Sequence, residues 1–325
     1  MAIDQEQVEE SARTGGRIAD FLSAAEIADL NTPRIGRTLL DAASIWGGIF
    51  GCLALAILYS NPLLLMLCFI VIASRQLALT HLVHDASHYR LTKNKILNDW
   101  ISDVLFAAPV LISTQQYRAQ HLPHHRNLGD SQLDTDQRAW YSIRGWHFLR
   151  RSVLILLGWE ALLTFLSYSN TSQNGDSSKN SGLIRRLTLV FITNGFIFLY
   201  CWLLGNPWMF FAMWVFPMFT LTMYLLTLRV IAEHQTVAYA RLGKDEFRMD
   251  IEYPLTRTLR SGFWGRFFLG SCNFNYHHEH HLAPAVPYSN LPRLHCLLVE
   301  RGYYNRYPEA LSSGYFSTLR KLVFP

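Results

Sequence analysis

The sequence predicts an all-α integral membrane protein, with four transmembrane helices in two hairpins and a cytosolic helical cap. Half of the 325 residues are hydrophobic and only 16% are charged, whereas about one quarter of the residues of a soluble protein are charged. The mean hydropathy of +0.11 is modest, so the apolar spans must be joined to a sizeable water-facing part. Four apolar runs each approach the roughly 20 residues that a spanning helix needs. They cover about residues 40–59, 62–80, 187–204 and 207–228.

The first 39 residues precede the first span and are predicted to form a cytosolic segment. Ser23 and Glu26 have the spacing of a capping box, in which the two side chains accept each other's backbone N–H groups. A short helix is therefore expected to begin there. Arg34 and Arg37 stand just before the first span, as the positive-inside rule expects of a cytosolic segment.

Each pair of spans is separated by a turn in which Asn precedes Pro, at Asn61-Pro62 and at Asn206-Pro207. The Asn side chain can cap the second helix of the pair, and Pro suits its first position because that residue needs no N–H donor. Both pairs are therefore predicted to be tight helical hairpins. Basic residues also follow the second span, which places the large connections in the cytosol.

Two further apolar stretches are too mixed in composition to be assigned as spans. The stretch 97–113 is short, and the stretch 152–168 carries Trp159 and Glu160 near its middle, where an ionisable residue would be costly in a bilayer. The stretch 97–113 is expected to lie at the membrane interface, and the stretch 152–168 is expected to be an interfacial or capping helix. This arrangement keeps the histidine clusters described below on one side of the membrane.

The charge and cysteine content exclude several classes of protein. The net charge of +5 and the pI of about 9.0 suit a protein that rests on an anionic leaflet. Because the chain has no Lys/Arg-rich run and no nucleic-acid module, nucleic acid is not expected as a partner. The five cysteines include no Cys-x-x-Cys pair and are interpreted as buried thiols rather than as a disulfide framework.

Histidine is the unusual residue, since ten of the 13 fall in three clusters, at 81–88, 121–125 and 277–281. Spacings of three and four residues place these imidazoles on one face of a helix. Neutral imidazole is a common metal ligand, and a bound cation explains why gathered histidines stay neutral. Eight or more histidines exceed one site, so two metals are expected. Imidazole suits Zn, Cu, Fe and Ni alike, which leaves the metal open at this point.

Three segments resemble the histidine boxes of the membrane fatty acid desaturase superfamily: H-D-A-S-H at 84–88, H-x-x-H-H at 121–125 and N-Y-H-H-E-H-H at 275–281. Their order, their gaps and the two intervening hairpins also resemble that family. The resemblance implies an integral membrane di-iron enzyme that uses O2 to remove hydrogens from an unactivated C–H chain. It also implies that residues 40–300 form a membrane desaturase domain and that residues 301–325 form a cytosolic tail.

Carried over position by position, the resemblance implies nine iron ligands. The ninth, His234, stands just after the fourth span, where family members usually have a further histidine. Some acyl-CoA desaturases have an Asn four residues before this histidine, whereas this chain has Val230, so an acyl-CoA-type enzyme is less favoured. The nine implied ligands are His84, His88, His121, His124, His125, His234, His277, His280 and His281.

Four neighbours of the implied ligands are expected to support them. Asp85 and Glu233 adjoin ligand histidines, and carboxylates often accept the second ring N–H of a metal-bound imidazole. Asn275 is the first residue of the third box, and His81 lies one turn before the first box. Carboxylates after the second box also resemble acidic positions of the family, although a solvated acidic turn is an equally good interpretation. These are Asp130, Asp134 and Asp136.

The implied reaction is desaturation of a lipid acyl chain at the cytosolic membrane face, with two Fe ions, O2 and electrons from a separate donor such as a ferredoxin or cytochrome. The donor is expected to be separate because the sequence has no fused haem module, no Gly-x-Gly-x-x-Gly motif and no cysteine set for an iron–sulfur cluster. A bacterial inner membrane is the expected location. Three alternatives stay open: di-iron hydroxylation or ketolation of a lipid or carotenoid, metal transport, and zinc-dependent lipid hydrolysis.

Overall fold

The computed structural model describes residues 18–128, 130, 133–135, 145–163, 177–234 and 255–324, with the backbone alone for 177–181. These residues are mostly helical, and four of their helices are long and apolar enough to cross a membrane. The predicted fold class, an all-α integral membrane protein with four spans, is confirmed. The candidate spans are Ile35–Leu58, Pro62–Ser87, Gly182–Leu203 and Phe210–Glu233.

The N-terminal helix and the first hairpin follow the sequence prediction. Helix α1 (Ala24–Leu30) begins at the capping box of Ser23 and Glu26, both halves of which are formed. Helices α2 (Ile35–Leu58) and α3 (Pro62–Ser87) make the hairpin, and the Asn of the Asn-Pro turn caps α3 through its side chain. Because α3 continues beyond the predicted end of the second span, the first histidine cluster lies on its last turns.

A sharply bent helix pair follows the first hairpin. Helix α4 (Lys95–Ser102) continues through a π-helical turn (Asp103–Ala107) and a 3-10 turn (Ala108–Val110), and the chain then bends by 91° into α5 (Thr114–Arg126). Leu111 makes the bend with a φ of +65°. By length and composition this pair would also serve as a broken span or a re-entrant loop, so its predicted interfacial position stays a prediction.

The second hairpin lies, in sequence, between the second and third histidine clusters. Helix α6 (Gly145–Leu156) packs against the last span. Helix α7 (Ser177–Leu203) is followed by a turn at Gly205, whose φ is +96°, a conformation that favours glycine. The last span is a π-helical turn followed by α8 (Phe216–Phe219) and α9 (Leu221–Glu233).

The apolar stretch at 152–168 falls only partly within the described residues. It is helical up to Leu156, and Gly158, with a φ of +78°, interrupts it. Residues 164–168 lie outside the described part of the chain, as does Asp136. The predicted interfacial position of this stretch therefore stays a prediction.

The C-terminal part of the chain folds back onto the third histidine cluster. Strand β1 (Thr258–Leu259) pairs in parallel with β2 (Leu311–Ser312), and Tyr303 and Tyr315 are buried. The predicted division into a membrane domain and a separate tail after residue 300 stays a prediction. The helices of this part are α10 (Phe263–Phe268), α11 (His277–Leu282), α12 (Leu291–Glu300), α13 (Tyr303–Arg306) and α14 (Tyr315–Val323).

Candidate metal centre

The first histidine cluster is presented by the last turn of α3. His84 lies on that turn and is buried, and His88 follows as the C-cap residue of the helix. Their ring centroids are 5.5 Å apart, so the predicted i,i+4 pair shares one face. Tyr89 follows with a φ of +57°, which ends the helix at this point.

The second cluster lies on α5, whose first turn is capped by the side chain of Ser113. Pro123 is inside this helix, and the helix continues past it, so the loosely predicted helical spacing holds here. His121, His124 and His125 are all buried on α5. The predicted i,i+3 and i,i+4 spacing therefore brings three imidazoles to one side of the helix.

The third cluster makes up most of the short helix α11. His277, His280 and His281 lie against the histidines of the other clusters. His278 and Glu279 contact the C-terminal part of the chain instead. Helical spacing thus places the histidines of this box that face the other clusters on one side of α11, and His278 and Glu279 on the opposite side.

His234 follows α9 directly as its C-cap residue. Its Nδ1 atom lies 3.0 Å from the Val230 carbonyl oxygen, which assigns the ring proton to Nδ1. Its Nε2 atom is 3.2 Å from Nε2 of His124 and 3.2 Å from Nε2 of His277. His234, which only the resemblance suggested, therefore points its Nε2 atom at two members of the histidine boxes.

The imidazoles assemble into two groups, each with its ligand nitrogens within 4.8 Å of one another. The first combines residues of all three boxes, and the second combines His234 with one residue from each of two boxes. The five-histidine group is His84, His88, His121, His125 and His280; the three-histidine group is His124, His234 and His281.

His277 lies beside the three-histidine group. Its Nε2 atom is 3.1 Å from Nε2 of His281 and 3.2 Å from Nε2 of His234. The two groups adjoin each other, since the rings of His125 and His281 stack with centroids 4.2 Å apart. All nine predicted ligands are thus brought into one buried centre, although their role as ligands is a proposal taken up below.

Several imidazoles of this centre that lie outside the membrane spans are held in the neutral form. Burial, together with repulsion from neighbouring imidazoles, lowers the pKa of His125 and His281 well below the usual value. Burial, with the nearby Arg90 and Arg118, lowers the pKa of His88 to about 3. Neutral imidazole carries the lone pair that a metal ligand needs.

Several ring nitrogens of this centre are buried with no hydrogen-bond partner among the described residues. They include both nitrogens of His84, Nε2 of His88 and Nδ1 of His125. Burying a polar atom without a partner is costly, and a cation would use the lone pairs that these atoms leave free. A set of converging neutral imidazoles suits Fe, Zn, Cu or Ni, so the residues present fit a metal centre.

Carboxylates lie behind the three-histidine group. Asp134 is buried, and its Oδ1 atom is 2.8 Å from Nδ1 of His124. Glu233 lies 3.5 Å from Nδ1 of His277; it is paired with Arg229 at 2.8 Å and accepts a hydrogen bond of 2.7 Å from the Tyr315 hydroxyl. From the sequence, Asp134 is as readily part of a solvated acidic turn as a partner of the second box, and no local pattern points to Tyr315.

The other three predicted supporting residues have partners different from those expected. The Asp85 carboxylate accepts a hydrogen bond of 3.0 Å from the Tyr288 backbone N–H. Asn275 donates to the Leu259 carbonyl and so links the third box to β1. His81 lies 3.0 Å through Nδ1 from the Ser271 carbonyl oxygen and stacks on a phenylalanine ring. Among the described residues, none of these three contacts a histidine of either group through a hydrogen bond.

The outer face of α11 contains a polar network that sequence reasoning missed. Glu279 is buried and accepts hydrogen bonds from the hydroxyls of Thr258 and Tyr304, and His295 lies 2.5 Å from it. Burial acts to raise the pKa of Glu279, but the hydrogen bond from His295 and the other partners hold it below the usual value. The His-x-x-His-His spacing in the sequence could not reveal partners that lie about 20 residues away in the chain.

His278 is occupied on both of its ring nitrogens, although it stands within the third box. Nδ1 is 2.9 Å from the Thr256 hydroxyl and Nε2 is 2.7 Å from the Tyr303 hydroxyl. It is therefore unavailable to a metal. This agrees with its exclusion from the predicted ligand set.

The fold and this centre define an all-α membrane protein whose buried histidines are arranged to hold metal. The sequence matches the fatty acid desaturase family over residues 60–311. The chain belongs to this family, and the resemblance seen in the three histidine boxes is confirmed.

Three curated relatives are similar to the chain. Dihydrorhizobitoxine desaturase of Bradyrhizobium elkanii is 27% identical over 68% of this chain and 64% of its own length. An sn-1 oleoyl-lipid 12-desaturase of Arthrospira platensis is 23% identical over 64% of this chain and 60% of its own. An sn-1 acyl-lipid omega-3 desaturase (ferredoxin) of Synechocystis sp. is 38% identical over 18% of this chain and 16% of its own. The chain thus spans less than two thirds of the length of the first two.

Proposed function

We propose that this protein is an O2-dependent di-iron desaturase of lipid acyl chains. The observation that carries the proposal is the gathering of nine imidazoles from four segments, eight of them in two adjoining groups and His277 beside the second group. Family membership supports the same reaction class. A hydrolytic zinc site would need only about three protein ligands, so it does not explain this number of histidines.

We assign one iron to the five-histidine group and the other to the three-histidine group together with His277. His277 belongs with the second iron because its Nε2 atom lies within 3.2 Å of the Nε2 atoms of His234 and His281. This division uses all nine residues suggested by the resemblance. It leaves out His81 and His278, whose nitrogens contact other parts of the chain.

Two irons bound here would supply reductive activation of O2 and removal of hydrogen from an unactivated methylene. The chain's own residues make the site suitable for that chemistry. Their burial excludes water, which limits side reactions, and it keeps the imidazoles neutral. Asp134 can accept the ring N–H of His124, which orients this ring and raises its basicity. Glu233 lies 3.5 Å from Nδ1 of His277 and places a carboxylate beside that ring.

A lipid acyl chain is the proposed substrate. The apolar spans lead directly into the centre, because α3 carries His84 on its last turn and α9 ends one residue before His234. Two of the relatives are named for oleoyl-lipid or acyl-lipid substrates, whereas the first is named for dihydrorhizobitoxine. Val230, in place of the Asn of some acyl-CoA desaturases, supports a lipid-bound rather than a CoA-bound acyl chain.

The electrons are proposed to come from a separate carrier, such as a ferredoxin or a cytochrome. One relative is named as a ferredoxin enzyme, which supports a carrier of this kind. The basic residues that flank the first two spans support a cytosolic position for the centre. A bacterial inner membrane is the proposed location.

The first experiment is to measure the metal content of detergent-purified protein and to profile the lipids of cells that express it. About two irons per chain, with new lipids lighter by two hydrogens, are expected. New lipids that gain one oxygen would instead indicate a hydroxylase or ketolase. Stoichiometric zinc after iron-replete expression, with no O2-dependent product, would overturn the oxidative mechanism.

A further inference from the structure

Two cavities flank the short helix α10, outside the metal centre. One has a volume of about 320 Å³ and the other of about 230 Å³. Arg266 lines both of them, so it stands between the two. The polar lining of the first includes Arg260, Ser261, Asn275 and His295, and that of the second includes Asp41, Ser44, Arg75 and Asn273.

The charge around these cavities is positive and largely unneutralised. Arg260 and Arg266 are exposed, and no carboxylate of the described residues forms an ion pair with either guanidinium. Asp41, which lines the second cavity, is already engaged at 2.9 Å by Arg37 and at 2.7 Å by the Tyr288 hydroxyl. The cavities therefore suit an anion with more than one oxygen atom, as a guanidinium binds phosphate well.

Buried polar atoms without partners also line the cavities. Asn275 is 3% exposed, and its Oδ1 atom has no hydrogen-bond partner among the residues that the structure describes. The same holds for Ser261 Oγ in the first cavity and Arg75 Nε in the second. The amide of Asn275 is held in place by its bond to the Leu259 carbonyl, so Oδ1 is a fixed acceptor. A ligand that supplies a hydroxyl donor as well as an anion would satisfy these atoms.

The position of α10 indicates where such a ligand comes from. Phe263 and Trp264 on this helix are 63% and 64% exposed, as expected of aromatic side chains at a membrane interface. Arg75, within the second span, donates to the Phe267 carbonyl and stacks on that ring at 4.0 Å. Ile45 of the first span lines the second cavity. The pair of cavities is thus tied to the membrane-spanning helices rather than to a distant cytosolic surface.

We propose that the surface around Arg266, between these two cavities, binds the phosphate of a membrane lipid whose headgroup also carries a hydroxyl. Arg266 and Arg260 neutralise the phosphate, the Ser261 hydroxyl donates to a phosphate oxygen, and Asn275 Oδ1 accepts from the headgroup hydroxyl. Phe263 and Trp264 pack among the acyl chains next to the bound lipid. This site uses none of the nine histidines and does not depend on the proposed desaturation.

The test uses native mass spectrometry of the full chain, purified in detergent and titrated with phosphatidylglycerol or phosphatidylcholine. Phosphatidylglycerol, which has hydroxyl donors, is expected to be retained in preference to phosphatidylcholine, which has none. Arg266→Gln is expected to weaken its retention about fivefold, the effect of one basic contact near a lipid surface. Arg320→Gln, which removes an exposed arginine of α14 that lines neither cavity, is the matched control.

Further measurements distinguish a lipid phosphate from a soluble phosphate and show whether the variants are folded. Equal competition by sn-glycerol 3-phosphate would show a site for a soluble phosphate and overturn the lipid assignment. Equal retention of the two lipids, or retention unaffected by Arg266→Gln, would overturn the site itself. Arg266→Lys should keep most of the binding, and both variants should retain the metal content and melting temperature of the wild type, because Arg266 is exposed.

Discussion

The two histidine groups are built from similar residues but are supported differently. In the five-histidine group, both nitrogens of His84 and one nitrogen each of His88 and His125 have no hydrogen-bond partner among the described residues. In the three-histidine group, His124 contacts the Asp134 carboxylate and His234 contacts a backbone carbonyl. Nδ1 of His281 in this group has no such partner among the described residues, so hydrogen bonds to groups outside the centre position two of its three rings.

This difference indicates that the two sites respond differently to perturbation. A carboxylate behind an imidazole fixes its tautomer and raises its basicity, and its loss typically weakens metal binding 10- to 100-fold. The three-histidine group should therefore be sensitive to changes outside the ligand set. The five-histidine group, which has more ligands and fewer such partners, should respond mainly to changes in the ligands themselves.

The largest effect is expected from removing one ligand of each group, for which His280 and His281 are adjacent residues on the same helix. His280→Ala and His281→Ala should each lower the iron content from two to about one per chain, and each should reduce desaturation more than about 100-fold, beyond the usual effect of an outer partner. Iron analysis of the purified variants checks this. Two retained irons in either variant would contradict the assignment of that residue.

The second prediction concerns the carboxylate behind His124. Asp134→Asn should weaken one of the two irons about 10- to 100-fold and leave the other unchanged, since a neutral amide orients the ring without the same gain in basicity. The rate of iron loss to a chelator measures this. Asp130→Asn is the control, because the carboxylate of Asp130 caps a backbone N–H at Leu133; equal effects of the two changes would refute the role of Asp134.

The third prediction tests whether the C-terminal segment supports the centre. Tyr315→Phe removes the hydroxyl that donates to Glu233, a hydrogen bond to a charged group worth about 1.5–3 kcal/mol. One iron should then be lost a few-fold faster. Tyr303→Phe removes a hydroxyl that contacts His278, outside both groups, so it should lower the melting temperature without changing iron release. Equal iron release in the two variants would leave Tyr315 with a purely structural role.

The last prediction concerns the effect of pH on the stability of the metal-free protein. Burial lowers the pKa of His88 to about 3 and that of His278 to about 4, whereas histidine in an unfolded chain titrates near pH 6.5. Below about pH 6.5 the unfolded chain therefore binds more protons than the folded one, and stability falls as the pH decreases. Thermal melts between about pH 8 and pH 5 check the sign; a melting temperature that rises on acidification would contradict it.

The histidine clusters show how far local sequence carries the prediction. Spacings of three and four residues correctly place His84 and His88, and likewise His121 and His125, on shared helix faces, because these pairs depend only on helix geometry. The Asn-Pro turn before α3 was predictable for the same reason. The side chain of Asn61 accepts a hydrogen bond from the backbone N–H of Leu64, only three residues further along the chain. The helix of the second span extends to Ser87, beyond its predicted end at about residue 80. Its last, more polar turns are buried by segments distant in the sequence, and helical periodicity does not reveal such contacts.

The sequence by itself determined the class of protein, the four spans, the two hairpins and the helical spacing within each histidine cluster, whereas the full set of nine histidines came from the family resemblance. Hydropathy, capping and helical spacing depend on residues close together in the sequence, so the structures that they predict are also found in the folded protein. Only the tertiary structure decided that five imidazoles join one group and three the other, and that Asp134 supports His124 while Asp85 contacts Tyr288. It alone brought Tyr315 to Glu233, a separation of 82 residues. Such contacts depend on how whole helices pack, so no local pattern in the sequence records them.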